Sequence, residues 1–208
     1  MSKSNLAAAA LAGALLTAAA SSAAVAQQQQ QQAPDVKPLI TPQFVQEIRA
    51  FLDVPVIRMS IQAQNERRAG LNQAGIDALD AEWRAQRKAD DQPLIAATLS
   101  SPASSYLTQV QANAGGLYAA LFVMDAHGLN VGQSAVTSDY WQGDEDKFTR
   151  TFPVGPDAVF VDAPEFDDEM QVWIVQVNLT LADNGKAIGT ATVEVNAYEL
   201  ARRAGVSY

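Results

Sequence analysis

The chain contains no cysteine and a single histidine among its 208 residues. The lack of cysteine excludes a disulfide-stabilised scaffold, thiol catalysis, iron–sulfur clusters and zinc fingers. A single histidine argues against a Ser–His catalytic pair and against a metal site built from several histidines. We therefore expect a chain that is not an enzyme and that has no metal site or other cofactor.

Basic residues are scarce as well, with 14 Lys and Arg against 23 Asp and Glu and a formal net charge of −9. A negatively charged protein repels the phosphate backbone of nucleic acids, so we expect no nucleic-acid partner. With 48% hydrophobic and 18% charged residues, the composition is that of a globular protein.

The first 26 residues have the three parts of a secretory signal peptide. Lys3 provides the positive start, residues 6–20 form an uncharged apolar run, and Ala24-Val25-Ala26 is typical of a signal-peptidase site. The apolar run is shorter than the roughly 20 residues that a membrane span requires. We expect cleavage before Gln27 and export of a soluble protein to the periplasm; an uncleaved N-terminal anchor is the alternative.

Composition divides the remaining chain into a linker and one domain. Residues 27–38 begin with a glutamine run, and we expect a disordered linker there because such a tract cannot build a packed core. Residues 39–208 are expected to form a single domain.

Apolar residues recur at helical spacing in the first half of this domain. Thr41-Pro42 is typical of a helix start, and Asp53 with Pro55 predicts a restart, so residues 41–67 are expected to form one long or broken helix. Further helices are predicted over residues 76–83, 102–111 and 197–203, with a short one within 144–152 and a short apolar segment at 93–99.

After Gly116 the apolar period changes from 3.6 to 2, which indicates strands. Five mostly antiparallel strands are expected, over residues 117–125, 129–134, 158–162, 171–181 and 188–196. Asp183-Asn184-Gly185 is typical of a tight hairpin turn. The small residues Gly189 and Ala191 on one side of the last strand leave room for a helix to lie close. Helices followed by strands predict the α+β class.

Residues 137–148 form the most informative segment, with the sequence TSDYWQGDEDKF. Tyr140 and Trp141 are adjacent aromatics among acidic and amide side chains. Acidic residues also dominate the longer stretch 139–169, where Lys147 and Arg150 are the basic residues. Because loops between strands often carry binding residues, this segment is the candidate binding site.

Four blocks of this region, at residues 137–145, 159–167, 172–179 and 184–189, resemble Cache domains. These are PAS-like extracellular sensor modules of bacterial chemoreceptors, histidine kinases and diguanylate cyclases. The resemblance covers residues 117–196, and the helix predicted at 41–67 fits it too. It implies a five-stranded antiparallel sheet with a long N-terminal helix packed along it, and a small-molecule pocket between the sheet and the loops above it.

In amino-acid-binding relatives of that family, aromatic and arginine residues near this loop hold the ligand carboxylate and a later aspartate holds the amine. The resemblance matches Tyr140 and Trp141 to those aromatics and Asp162 to that aspartate. Residues 137–148 contain no arginine, so the acidic surroundings favour a polar or cationic ligand. The candidate ligand-binding residues are Asp139, Tyr140, Trp141, Gln142, Asp144, Asp162 and Gln176.

Several of these candidates also have a structural interpretation. Tyr140 and Trp141 would also serve to plug one end of the core. Asp144 fits a solvated helix start, and Asp162 fits a turn cap. Gln176 contacts a ligand only if the strand face opposite Trp173 borders the pocket.

The function that the sequence favours is a sensor or ligand-binding module that acts through a membrane receptor or kinase. A homodimer through residues 41–67 is also expected. One alternative is a structural or partner-binding module without a ligand. The other is a periplasmic hydrolase that uses paired carboxylates.

Overall fold

A computed structural model describes residues 33–206. The predicted signal peptide, residues 1–26, and most of the predicted linker lie outside the described residues. Val36 is fully buried against the core, and Lys37–Leu39 form a short 3-10 helix. Core packing in the described part therefore begins a few residues before Leu39.

Seven α-helices follow within the described residues, and two of them begin at the capping residues that the sequence indicates. Thr41 accepts a hydrogen bond from the amide of Phe44, and Ser101 accepts one from Ser104. The helices are α1 Pro42–Leu52, α2 Pro55–Arg67, α3 Gln73–Gln86, α4 Pro93–Leu99, α5 Pro102–Asn113, α6 Asp146–Thr149 and α7 Ala197–Arg203.

The break predicted in the N-terminal helix is confirmed between α1 and α2. Val54 is extended, as expected for a residue that precedes a proline, and Pro55 opens α2. Residues 93–99, predicted only as an apolar segment, form the two-turn helix α4.

The strands form one antiparallel sheet in the order β2-β1-β6-β5-β3, and β4 pairs with β5 beyond β3. Their bounds are β1 Tyr118–Met124, β2 Asn130–Gln133, β3 Val159–Val161, β4 Glu165–Asp167, β5 Val172–Asp183 and β6 Lys186–Asn196. The α+β class is confirmed, but the sheet has six strands where five were predicted. Pro164, which has no amide hydrogen, lies between β3 and β4 and divides this edge of the sheet.

The turn between β5 and β6 is the predicted hairpin turn. Asn184 has a φ of 50° and Gly185 a φ of 76°, the two positive values that a type I′ turn requires. Asp183 pairs with Lys186 across it. Further along, Val177 pairs with Val193, so the apolar residues of both strands share one face.

The main core lies between this apolar face and the helices α1, α2, α5 and α7. Ile57 and Ile61 of α2 are fully buried there, together with Val177, Leu179 and Val193 of the sheet. Packing of the N-terminal helices along the sheet is thus confirmed, with two helices in place of one. We call the opposite face of the sheet the distal face.

The small residues of β6 do let a helix approach closely. A Cβ atom added to Gly189 would collide with the backbone oxygen of Met124 and would lie 3.1 Å from Cγ2 of Ile61 on α2. Moving the backbone of β1 away would disturb its pairing with β6, so Gly189 is required by packing rather than by an unusual backbone angle.

Replacing Gly189 with alanine is therefore expected to lower the free energy of unfolding by about 1–3 kcal/mol, the usual cost of overpacking. Urea denaturation followed by circular dichroism measures this change. Gly70→Ala is the matched control, because a Cβ atom there meets nothing within 4 Å. Equal stability of the two variants would contradict the close contact at Gly189.

A second, smaller core joins α3 and α4 to the loop that follows β2. Its buried members are Ile76, Trp83, Ile95, Leu129 and Tyr140. This cluster fixes the candidate segment 137–148 against the helices. Across residues 33–206, no helix combines the length and apolar character needed to cross a membrane.

Candidate functional site

A cleft of about 650 Å³ opens on the distal face of the sheet. Its floor is formed by β1, β5 and β6. Its walls come from the region where α3 leads into α4, from the loop after β2, from α6 and from the hairpin between β4 and β5. A side recess of about 200 Å³ adjoins it under β4, and the two share Asp167, Gln176 and Glu194.

The floor of the cleft is centred on a pair of polar residues from neighbouring strands. Gln176 of β5 and Glu194 of β6 face each other in register, and Nε2 of Gln176 donates to Oε1 of Glu194 at 3.0 Å. That hydrogen bond uses one of the two carboxylate oxygens. Ala120 of β1 pairs with Glu194 on the other side, and its small side chain leaves the space above it open.

Burial raises the pKa of Glu194, and the nearby carboxylates of Asp167 and Glu165 raise it further. The hydrogen bond from Gln176 and the charge of Lys147 act in the opposite direction without cancelling the effect of burial. A carboxylate that is poorly solvated in this way is stabilised by any cation that enters the cleft.

Negative groups outnumber positive ones around the cleft and its recess. Arg87 and Lys147 are the cations among the lining residues. The lining carboxylates are Asp162, Glu165, Asp167, Glu169 and Glu194. The potential in the cleft is therefore expected to attract positively charged molecules.

The ammonium group of Lys147 is already engaged by the protein. It lies 2.9 Å from a carboxylate oxygen of Glu145 and donates to Oε1 of Gln142 at 3.1 Å. It also lies 5.5 Å from the centre of the Phe122 ring. Lys147 thus links α6 to its own loop and contacts the sheet at Phe122, and its pairing with Glu145 reduces its repulsion of a cationic ligand.

The aromatic segment beside the cleft is organised by one aspartate of α3. Oδ1 of Asp80 accepts hydrogen bonds from the amides of Tyr140 at 2.9 Å and Trp141 at 3.1 Å. Asp80 is only 4% exposed, and its other carboxylate oxygen pairs with Arg84. The backbone of this loop is therefore fixed from below by a buried charge.

The side chains of the two aromatic residues are also held within the protein. Tyr140 stacks on Trp83 at 5.0 Å between ring centres, and its hydroxyl accepts a hydrogen bond from Arg68 at 2.8 Å. Burial raises the pKa of Tyr140. The indole nitrogen of Trp141 donates to the carbonyl oxygen of His127 at 2.8 Å. For Tyr140 this is the core-plugging arrangement that the sequence left open.

Three of the predicted ligand-binding residues, Gln142, Asp162 and Gln176, line the cleft or its recess. Gln142 is buried and bridges Lys147 to Asp139, whose Oδ1 accepts from Nε2 of Gln142 at 2.5 Å. Asp162 accepts a hydrogen bond from the amide of Ala163, which also fits the turn-cap interpretation.

The other four candidates do not line this cleft. Asp139 lies behind Gln142, Tyr140 and Trp141 lie in and beside the second core, and Asp144 is exposed. Ligand contact by these four residues stays a prediction.

Sequence reasoning missed Glu194, Arg87, Asp167 and Asp80. A signal exists for Glu194, because it is a carboxylate in a strand whose residues from Ala187 to Val195 are otherwise apolar or small. Asp80 has a similar signal, since it lies at helical spacing between Ile76 and Trp83, on the apolar face of α3.

Comparison with known proteins gives similarities of fold alone. No family model matches this chain, and no curated protein gives a significant match. Among solved structures, the chain is similar to the ligand-binding domain of the Campylobacter jejuni chemoreceptor Tlp3, solved with 4-methylisoleucine. That alignment has 13% identity and a TM-score of 0.38, and it covers 74% of this chain and 65% of the other.

Two further structures are similar. The ligand-binding domain of the Pseudomonas aeruginosa PAO1 amino acid chemoreceptor PctC, in complex with GABA, has 17% identity and a TM-score of 0.36 over 76% of this chain and 58% of its own. The extracellular domain of vpHK1S-Z8, described as a histidine kinase, has 10% identity and a TM-score of 0.44. That alignment covers 80% of this chain and 55% of the other. This chain thus spans less than two thirds of each of these structures. With TM-scores below 0.5, these similarities assign neither ligand nor partner to it.

Proposed function

We propose that this chain is a non-catalytic sensor or ligand-binding module whose cleft binds a small polar molecule that carries a positive charge. The observation that carries the proposal is the floor of the cleft, where the partly buried Glu194 is held by Gln176 among further carboxylates. The cleft volume of about 650 Å³ is in the range typical of small-molecule sites.

Charge is the main determinant of the ligand in this proposal. A cation near Glu194 replaces the water that this carboxylate loses on folding, and it gains attraction from the carboxylates of the recess. A ligand anion meets Lys147 only in competition with Glu145, which already pairs with that ammonium group, and Arg87 is outnumbered by the lining carboxylates. The site therefore favours amines over carboxylates.

The arrangement of the carboxylates supports binding over hydrolysis. Oδ1 of Asp167 accepts hydrogen bonds from the amides of Glu169 and Met170, and Asp162 accepts one from its own turn. Glu194 is held by an amide side chain. Asp162 and Asp167 are therefore accounted for by the turns that they cap, and Glu194 by its contact with Gln176, without an acid–base role.

The proposal includes the expectations of the sequence for the cellular setting. We propose export to the periplasm by the signal peptide at residues 1–26, and output through a membrane receptor or kinase. A homodimer through residues 41–67, which form α1 and α2, stays a prediction.

A matched ligand series tests the proposed function. Primary amines of five to eight heavy atoms are expected to raise the melting temperature, whereas the alcohols and carboxylates of the same length are not. Stabilisation follows the affinity and concentration of a ligand that binds only the folded state. Differential scanning fluorimetry measures the shifts, and isothermal titration calorimetry then measures Kd. Stabilisation by carboxylates, or by none of the three classes, would contradict a cation-binding cleft.

A further inference from the structure

The centre of the distal face, next to the cleft, is polar although it is completely covered. Asn178 and Thr180 of β5 and Thr190 and Thr192 of β6 are each 0% exposed. Thr151, also 0% exposed, follows α6, and this short helix packs against β5. A sheet face that is permanently closed is normally covered by apolar contacts, so this polar patch calls for a physical reason.

Two of the polar atoms in this patch have no hydrogen-bond partner within the described part of the chain. Oδ1 of Asn178 accepts from the hydroxyl of Thr192 at 2.7 Å, but Nδ2 of Asn178 is unpartnered. The hydroxyl of Thr180 is unpartnered as well. Buried donors without acceptors are rare because each one loses the hydrogen bond that it makes to water in the unfolded chain. Both atoms can donate to an acceptor that enters this space.

The residues of the polar patch are neighbours, within the sheet, of residues that line the cleft. Phe122 lines the cleft and pairs in register with Thr192, which in turn pairs with Asn178. Asn178 lies two residues along β5 from Gln176, a spacing of about 7 Å. Lys147 lies over the Phe122 ring, at the boundary between the cleft and the patch.

We propose that the cleft continues beneath α6 as an inner compartment that accepts an uncharged hydrogen-bond acceptor, such as an amide or ketone oxygen, from the ligand whose cation lies at Glu194. The inference rests on the proposed function and adds the second end of the ligand. Entry requires α6 to move outward. This helix has four residues. The hydrogen bond and ion pair of its Lys147 go to Gln142 and Glu145 of the same loop, so the contact of Lys147 with the sheet that is lost on opening is the one with the Phe122 ring.

The residues of the compartment define the chemistry of the second group. Asn178, Thr180, Thr190, Thr192 and Thr151 carry no charge, so a carboxylate placed among them would be buried without a counter-ion. A neutral acceptor avoids that cost and takes the hydrogen bonds that Nδ2 of Asn178 and the hydroxyl of Thr180 offer. The ligand class is therefore an amine with a neutral acceptor about 7 Å from its nitrogen.

A pair of probes of equal shape tests the inference. In 5-aminopentanamide an amide lies at about this distance from the amine, and in 5-methylhexan-1-amine an isopropyl group replaces that amide. Calorimetry on the wild-type protein is expected to show at least 10-fold tighter binding of the amide. In Asn178→Leu/Thr192→Val, which replaces both hydrogen-bonded partners by apolar groups of similar size, the preference for the amide is expected to fall at least threefold, because the Thr180 hydroxyl then remains as the donor of the pair.

Thr180→Val provides a second variant that keeps the Asn178–Thr192 pair intact, and it is expected to reduce the preference for the amide at least threefold. The apolar amine should bind both variants at least as tightly as it binds the wild type, because its isopropyl group then meets apolar side chains, and this separates loss of the hydrogen-bond donors from loss of folding. Equal binding of both probes to the wild type would overturn the inner compartment and leave the cationic site standing; ordered water would then fill the patch. Failure of both probes to bind would overturn the inner compartment and the proposed function together.

Discussion

Replacing Asp80 with alanine is expected to lower the free energy of unfolding by about 3–5 kcal/mol, a large share of the stability of a domain of this size. The carboxylate is 4% exposed and accepts from the amides of Tyr140 and Trp141 through a single oxygen. Alanine leaves both amides without an acceptor beneath a packed loop. Urea denaturation, followed by tryptophan fluorescence because Trp83 and Trp141 lie at this contact, measures the change.

Two controls separate the hydrogen bonds of Asp80 from its ion pair. Asp80→Asn keeps an oxygen that accepts from both amides and is expected to cost much less than alanine. Arg84→Ala removes the ion pair, whose arginine end is 60% exposed, and is expected to change stability little. A loss in Arg84→Ala as large as that in Asp80→Ala would show that the ion pair, and not the backbone anchor, stabilises the loop.

The same substitution also reports on the cleft. Thr137 and Gln142, on either side of the anchored dipeptide, both line it. In Asp80→Ala, calorimetry well below the melting temperature is therefore expected to show weaker amine binding, since the wall of the cleft loses its fixed position.

The hairpin of β5 and β6 shows how far the sequence determines the floor of the site. The two-residue turn pairs Asp183 with Lys186, so an odd-numbered residue of β5 lies opposite an even-numbered residue of β6. Most apolar residues of both strands have odd numbers, however, and they lie on the same face of the sheet only if odd-numbered residues pair with odd-numbered ones. The structure resolves this conflict with an irregularity between Leu181 and Ala182 that shifts the register by one residue. Turn and alternation together therefore contain the information that places Gln176 opposite Glu194.

The loop at residues 137–148 shows where sequence reasoning stops. Two aromatic residues among carboxylates predict a ligand site. In the structure, however, the Tyr140 ring stacks on Trp83 and the Tyr140 amide donates to Asp80, and both partners lie about 60 residues earlier in the chain. Local pattern does not reveal that α3 packs under this loop. The position of Asp80 in the apolar stripe of α3 does indicate a buried carboxylate, and such a group needs hydrogen-bond donors from elsewhere.

The cleft itself depends on which segments cover the distal face. Alternation along β5 correctly puts Gln176 opposite the apolar face, but only the folded chain shows that Asn178 is fully buried, with α6 packed against β5, while Gln176 lines the open cleft. The sequence between β2 and β3 does not indicate which residues of β5 this segment covers, so the division could not be predicted.

Replacing Glu194 with glutamine is expected to weaken amine binding at least 10-fold, equivalent to about 1.4 kcal/mol, and at the same time to stabilise the fold at neutral pH. The introduced amide oxygen can still accept the hydrogen bond from Gln176, so the floor keeps its shape while the charge is lost. Stability rises because a buried carboxylate is charged at pH 7 at the expense of its hydration, and an amide is not.

The gain in stability of Glu194→Gln over the wild type is expected to depend on pH. Burial raises the pKa of Glu194 above its usual 4.5, so the stability associated with its protonated form is fully present below pH 4.5 and is lost as pH rises through the folded-state pKa. The stability advantage of Glu194→Gln should thus be small at pH 4 and grow toward pH 7 in urea denaturation. Glu66→Gln, an exposed exchange on α2, should show neither the growing advantage nor the loss of amine affinity. If Glu194→Gln instead lost stability at pH 7, the carboxylate would be a structural partner of Gln176 and Lys147, and the negative charge would be held by the protein itself rather than kept for a ligand.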